Sequence, residues 1–455
     1  MDVAVLIVLA LVISLYMYSR KMRTSFLPET KSRFVVFGTI VVGLLFCVYA
    51  TTRNRYNEDI IITEDEKHVH HIGVSPPLPT KYQYKYLWGI MFDAGSTGSR
   101  IHVFQFQHVA PGKPYKLISE LFKQTKPGLS NYADFPKLGA ESLKPMLQEA
   151  QNLIPKDQWA HTPIELKATA GLRLLGAKQS NAILHEVKEL FKSFPFYMGK
   201  DCASIMGGTD EGIFSWFTVN FLTGGLGDRE EMAGMIDLGG GSVQITFIPK
   251  HQETITSAPD DFVKDIKIFS DKYKLYTHSY LGLGLMLGRF QMMGGSKDFK
   301  GLFQHPSKKT YTVIGNEKGN SFENCYESAE NVINNYKMPR TKESSEIPFI
   351  LMSYFYDKAV ESNLLGANSH GGDLSVKNFQ EAAKQECTMT HRISDFLCMD
   401  LCFISALLEK GFGFPADKNI QVVKKLKNTE LSWALGATFN MLNSQYNRYD
   451  AAAGA

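Results

Sequence analysis

The chain has almost no charge imbalance: 49 Lys+Arg stand against 46 Asp+Glu, a formal net charge of +3 over 455 residues. A near-neutral chain lacks the basic field that nucleic-acid binding needs, so nucleic acid is set aside as a partner. No Asn-x-Ser/Thr triplet occurs anywhere, so N-glycosylation is not expected. None of the cysteine spacings is a zinc pattern. With 37 Gly, 18 Pro and 44% hydrophobic residues, collagen-like, low-complexity and wholly disordered classes are excluded. At ~150 residues per domain the length suggests two or three domains, long enough for sizeable cores.

The apolar residues concentrate near the start. Val3 to Tyr18 has only Ser14 polar, and Phe34 to Ala50 is uncharged. A membrane-crossing helix needs ~20 apolar residues, with a lower limit of ~17, so 34–50 qualifies as a span and 3–18 is marginal. Between them lie Arg20, Lys21, Arg23, Lys31 and Arg33 against one acid, Glu29. The positive-inside rule keeps this loop cytoplasmic and puts everything after Ala50 on the lumenal or extracellular side. Residues 1–50 are thus expected to be a cytoplasmic and transmembrane anchor with one span or two. A cleaved signal peptide fits poorly, because the basic cluster follows the first run. Residues 51–85 carry Glu58, Asp59, Glu64, Asp65 and Glu66, then His68, His70 and His71, then Pro76, Pro77 and Pro79. Such a segment cannot build a core and reads as a stem linker.

Cys47 lies in the second apolar run, leaving Cys202, Cys325, Cys387, Cys398 and Cys402. Pairing is expected in an oxidising compartment, and an odd number leaves at least one thiol over or paired between chains. Cys387 and Cys398 flank a short polar loop and are the preferred disulfide.

The chemistry begins at Trp88. An apolar strand ends in Asp93, turns through Gly95, Ser96, Thr97, Gly98 and Ser99 to Arg100, and returns as Ile101–Phe106. Such a hairpin exposes amides and hydroxyls in a nest suited to phosphate oxygens, although a plain turn looks the same. The plan then repeats. Gly234–Asp237 is followed by Gly239, Gly240, Gly241 and Ser242, then by a strand through Gln244, and the two aspartates are separated by 144 residues. Two copies at domain spacing suggest two similar lobes, each giving a phosphate loop to a shared cleft. Two carboxylates facing two phosphate nests suit a hydrated divalent cation on a polyphosphate.

Between the copies, Thr169 to Arg173 precedes an amphipathic helix with Ile183, Leu184, Val187, Leu190 and Phe191 on one face. Gly207 to Gly212 opens an apolar helix through Trp216 and Phe221. Asp210 and Glu211 in its first turn either answer the helix dipole or supply a general base for water.

Five segments taken in order, Asp93–Arg100, Ala168–Arg173, Gly208–Gly212, Asp237–Ser242 and Ser432–Gly436, carry a resemblance. They look like the apyrase conserved regions of the nucleoside triphosphate diphosphohydrolase family, and the match covers essentially all of 86–446. Within the family the chain most resembles the Golgi and endoplasmic-reticulum nucleoside diphosphatases. The resemblance implies an α/β fold of two RNase H-like lobes, of the actin and sugar-kinase superfamily, with the active site between them: lobe I as 86–205 plus 433–447, lobe II as 206–432. It implies Glu211 as catalytic base, Ser242 and Gln244 as holders of the attacking water, and Asp93, Thr169 and Asp237 as holders of Mg²⁺ or Ca²⁺, largely through waters. Gly95, Ser96, Thr97, Gly98 and Ser99 correspond to one phosphate loop and Gly239, Gly240 and Gly241 to the other, with Arg100 and Arg173 supporting. Trp433 corresponds to a residue near the hydration shell of the metal, with core packing as the other reading. Tyr354 falls near the place where relatives stack the base, with a core-strand aromatic as its alternative.

The activity implied is metal-dependent hydrolysis of nucleoside diphosphates, UDP and GDP foremost, at a Golgi or endoplasmic-reticulum membrane, with a secreted form possible by stem cleavage. Base preference, di- versus triphosphate selectivity and oligomeric state are not legible. One departure stands out: relatives usually pair the position of Cys325 with an upstream cysteine, and Arg289–Asn324 contains none. Either that excursion is trimmed, or Cys325 pairs with Cys202 or Cys402. The alternatives to the diphosphatase are a superfamily kinase, an exopolyphosphatase and a non-catalytic nucleotide-binding receptor tethered to the membrane. Gln244 beside Ser242 favours hydrolysis over a kinase, the near-neutral charge argues against a polyphosphate groove, and the intact Glu211 argues against a receptor.

Overall fold

A computed structural model describes residues 86–107, 115–268, 271–295, 321–389 and 394–453, with side chains as far as Ser444. All of them belong to one compact unit, Pro76–Ala455. The expected spans at 3–18 and 34–50, the stem at 51–85 and Cys47 lie outside the described residues. Among the described residues no helix is long and apolar enough to cross a membrane.

The first sheet grows around β1 (Tyr86–Ala94), which is buried from Leu87 onward. A strand covered on both faces needs a continuous apolar run, and Leu87 to Phe92 supplies it. β2 (Ser99–Gln107) returns antiparallel, and β3 (Lys116–Thr125) pairs antiparallel outside it. β4 (Pro163–Ala168) and β5 (Tyr197–Ile205) run parallel on the other side, giving the order β3-β2-β1-β4-β5. The helix Ala177–Lys192 buries Ile183, Leu184, Val187 and Phe191 against this sheet, and Leu190 is half-buried.

The second sheet repeats the plan around β6 (Gly234–Leu238). β7 (Ser242–Phe247) returns antiparallel, followed by β9 (Asp271–Leu281) and then, outside it, β8 (Val263–Ile268). β10 (Phe349–Ser353) and β12 (Ile420–Val423) run parallel on the far side of β6, with β11 (Gly371–Leu374) antiparallel at the edge. The order β11-β12-β10-β6-β7-β9-β8 therefore contains the first sheet's pattern in its middle five strands. Each sheet has its own core.

A third core joins them. Met91 and Phe104 from the first sheet and Met235 and Ile350 from the second meet Trp216 and Val219 of the helix Gly208–Thr223. Trp433, Leu435 and Leu442 of the C-terminal segment complete it. The helix Gly208–Thr223 is apolar around its circumference because it is covered on all sides. The C-terminal helix Ala434–Ala453 crosses it so closely that a Cβ on Gly436 would lie 2.5 Å from the Phe214 carbonyl oxygen. The Gly436 amide donates to Thr218 Oγ1 at 3.0 Å.

Cys387 and Cys398 form the expected disulfide, 11 residues apart, tying the helix Val376–Thr388 to the helix Leu397–Ala406. Cys202 sits in the first sheet's core, away from Cys325 and Cys402, which pack in the second.

Because the atoms nearest to Gly436 are backbone of Phe214, they cannot move aside as a side-chain tip would. Gly436→Ala is expected to destabilise the fold by about 1–3 kcal/mol, read as a lower denaturation midpoint; an unchanged midpoint would show that the two helices separate freely.

Candidate active site

The two hairpins face one another across a cavity of about 350 Å³. Asp93 ends β1 and pairs in register with Arg100 on β2, whose Nη1 donates to Asp93 Oδ2 at 3.0 Å. Asp237, near the end of β6, pairs in register with Gln244 on β7 and Met352 on β10. Both aspartates are buried, and in each Oδ1 has no hydrogen-bond partner among the described residues. Burial, with the charge of Asp93 adding to it, pushes the Asp237 carboxyl up to about 6, against a hydrogen bond from Ser353 and the charge of Arg100.

Ser353 takes a left-handed backbone (φ 63°) where β10 turns into the helix Tyr354–Glu361. A non-glycine residue held there costs about 1–3 kcal/mol; here it puts Ser353 in the wall of the cavity that Asp237 lines.

The two glycine loops touch. A Cβ on Gly240 would lie 2.6 Å from Ser96 Oγ and 2.8 Å from Thr97 Cγ2, and one on Gly241 2.8 Å from Ala170 Cβ. In the second loop the carbonyls of Gly239, Gly240 and Gly241 accept from Leu285, Met286 and Gly282. With the oxygens tied up by the following chain, an anion meets amides, the arrangement that favours phosphate. Gly284 backs this loop: its Cβ would sit 2.4 Å from Gly240 C, Gly241 N and Ser242 N. Gly128 does the same for the first, where a Cβ would lie 2.4 Å from Gly95 O and 2.9 Å from Gly98 N. Sequence reasoning missed both buttresses, although the glycine pair of Tyr280-Leu281-Gly282-Leu283-Gly284 was a visible signal.

Glu211 occupies the first turn of the helix Gly208–Thr223 and is buried in the cavity wall. Arg173 Nη2 donates to its Oε2 and also reaches Ser242 Oγ at 3.5 Å. Gln244 Nε2 donates to Ser242 Oγ at 2.8 Å and to Ser279 Oγ at 3.0 Å. Burial pushes the Glu211 carboxyl up to about 8; Arg173 opposes this, while Asp237 and Asp93 add to it. Exposed acids that merely answer a helix dipole show no such environment.

Of the residues singled out by sequence, Asp93, Gly95, Ser96, Thr97, Arg100, Thr169, Glu211, Asp237, Gly239, Gly240, Gly241, Ser242, Tyr354 and Trp433 line this cavity. Arg173 and Gln244 stand one hydrogen bond behind the wall, holding Glu211 and Ser242. Ser99 is fully buried behind the first loop. Trp433 both lines the cavity and belongs to the shared core. Tyr354 is no strand aromatic: it opens a helix and lines the cavity, as does Tyr356, whose ring lies under Lys424 Nζ at 5.4 Å.

The donor set suits a divalent cation. Two buried carboxylates, each with an unpartnered oxygen, converge on one cavity and press each other's charge, which a hard cation with oxygen ligands would relieve. Two sheets of common strand order, facing glycine loops, buried carboxylates and room for a divalent cation suit the handling of a nucleotide's phosphates.

The sequence profile of the GDA1/CD39 (nucleoside phosphatase) family matches residues 79–452. The chain is 42% identical over 394 residues to the nucleoside diphosphate phosphatase ENTPD5 of Homo sapiens, covering 82% of this chain and 91% of that one. It is 44% identical over 382 residues to ectonucleoside triphosphate diphosphohydrolase 6 of Mus musculus, covering 79% and 83%. A crystal structure of nucleoside triphosphate hydrolases from Neospora caninum shares the fold, with a TM-score of 0.55 at 13% identity over 79% of this chain and 93% of that one. The chain belongs to the GDA1/CD39 family.

Gly284→Ala is expected to displace the second phosphate loop and raise KM for nucleotide at least tenfold, with thermal stability lowered by a few degrees at most. Steady-state kinetics beside a melting curve separates the two effects, and a wild-type KM would dismiss the buttress.

Proposed function

We propose that this chain hydrolyses nucleoside diphosphates, UDP and GDP foremost, with ADP and triphosphates as further substrates, to the monophosphate and phosphate. The observation that carries the reading is the contact of two glycine loops, Gly240 against Ser96, beside the buried carboxylate of Glu211. Family membership and the name of the human relative, a nucleoside diphosphate phosphatase, support it.

In this reading lobe I is 86–205 plus 433–447 and lobe II is 206–432, both RNase H-like and of the actin and sugar-kinase superfamily; the repeated sheet order supports that assignment. Asp93, Asp237 and Thr169 hold the cation, Mg²⁺ or Ca²⁺, mostly through waters. The bound cation neutralises charge on the phosphate oxygens. The loops at Gly95–Ser99 and Gly239–Gly241 grip the terminal phosphate through amides and hydroxyls. Glu211 takes a proton from a water that Ser242 positions, the water oxygen attacks the terminal phosphorus in line, and the nucleoside monophosphate leaves with the electron pair of the broken P–O bond. Gln244 and Arg173 position Ser242 and Glu211. Tyr354 flanks the nucleoside end. The enzyme is anchored by its N-terminal segment in a Golgi or endoplasmic-reticulum membrane with this unit in the lumen, a placement supported by the basic cluster between the apolar runs. Cleavage in the stem would release a secreted form.

The test is phosphate release by the purified chain from UDP, GDP, ADP and their triphosphates, with Mg²⁺, Ca²⁺ or EDTA. Metal-dependent release favouring UDP and GDP is expected; a folded protein that binds these nucleotides and releases no phosphate would overturn the reading in favour of a kinase or receptor. Glu211→Gln is expected to keep nucleotide binding and lose about 10²–10⁴-fold in turnover, the usual worth of a general base. Normal turnover in that variant would remove Glu211 from the role.

A base must be ionised, so kcat/KM for the wild type rises with pH along an acid limb set by Glu211. Burial raises this carboxyl and Arg173 lowers it; Arg173→Ala therefore moves the limb to higher pH, and a pH–rate profile with an unmoved limb would dissociate Arg173 from Glu211.

A further inference from the structure

We infer that Cys325 and Cys402 close a second disulfide beside Cys387–Cys398, joining the helix Phe322–Asn334 to the helix Leu397–Ala406. The sulfurs of Cys325, Cys387, Cys398 and Cys402 all lie within 4.8 Å of one another. One pair among them is already a disulfide, which marks an oxidising compartment and leaves two sulfurs rather than the four that a structural zinc would need. Those two lie within 4.8 Å of each other.

Neither an upstream cysteine nor Cys202 can serve Cys325. The stretch Arg289–Asn324 has no cysteine, and Cys202 is buried in the other lobe's core. Cys325 is half-buried and Cys402 fully buried, so the order of events follows from access. The Cys325 thiolate attacks an external disulfide oxidant, releasing one thiolate and forming a mixed disulfide. Cys402, deprotonated as it reacts, then attacks the Cys325 sulfur and expels the second thiolate. Two thiols are oxidised, one external disulfide is reduced to two thiols, and the two protons pass to those thiolates.

The neighbouring sulfurs also offer the swapped pairing, since Cys325 Sγ lies 3.7 Å from Cys398 Sγ and Cys387 Sγ 3.9 Å from Cys402 Sγ. The test must therefore report connectivity. The full chain, made in a secretory compartment, is alkylated in denaturant without reductant and cut before Asp400, which separates Cys398 from Cys402. Mass spectrometry is expected to find Cys325 and Cys402 unlabelled in one cross-linked peptide that splits on reduction, and Cys202 labelled. Labelled Cys325 and Cys402 beside an intact Cys387–Cys398 bond would overturn the inference. So would a Cys325–Cys398 cross-link, or four thiols with one zinc per chain. In Cys402→Ser, Cys325 should pass from protected to fully labelled; continued protection would likewise overturn it.

Discussion

Two carboxylates, Asp93 and Asp237, are held in one cavity with an oxygen apiece that nothing among the described residues satisfies. A third acid, Glu211, is buried in the same wall, and its charge is raised in energy by the other two. Arg100 and Arg173 answer part of this, each bound to a single acid. Burying acids against one another is costly unless a cation joins them, so the site is built to be completed by positive charge. The surrounding architecture serves that requirement. Each aspartate sits near the end of a central, covered strand, where the rigid sheet fixes it beside a glycine-rich hairpin turn.

Much of this was legible because it is local. The runs ending in Asp93 and Asp237 need burial on both faces, and continuous apolar residues announce it; the glycines that follow announce tight turns. Repetition of the pair then implied two lobes, and the sheets bear that out with a common strand order around β1 and β6. The disulfide Cys387–Cys398 was legible for the same reason, being closed across a short loop.

What escaped were groups whose role is set by distant chain. Gly128 and Gly284 matter through loops that precede them in sequence by about 30 to 45 positions, and a glycine that another backbone presses against looks like any loop glycine. Ser353 acts through a left-handed backbone at a strand end, which no propensity favours for serine. Tyr354 was misread as a possible strand aromatic because the apolar run Phe349–Met352 continues into it; the chain instead changes from strand to helix between Ser353 and Tyr354. The candidate base stood between these cases. Its position in a first turn was visible, but its burial depends on packing from both lobes.

That packing decides how the two halves of the site relate. Each glycine loop belongs to one sheet, whereas Glu211 rides on a helix whose buried residues include Trp216 and Val219 in the core common to both. Trp433 contributes to that core and to the cavity wall together. The carboxylate is therefore referenced to both lobes at once, and its partner Arg173, from the first sheet's side of the cleft, also reaches Ser242 on the other. In the proposed reaction a base anchored in this way would stay aligned with a terminal phosphate only while the two loops remain in contact, which would couple the packing of the shared core to the chemistry. The close approach of Gly436 to Phe214 thus bears on the site as well as on the fold, because it fixes the helix that carries Glu211.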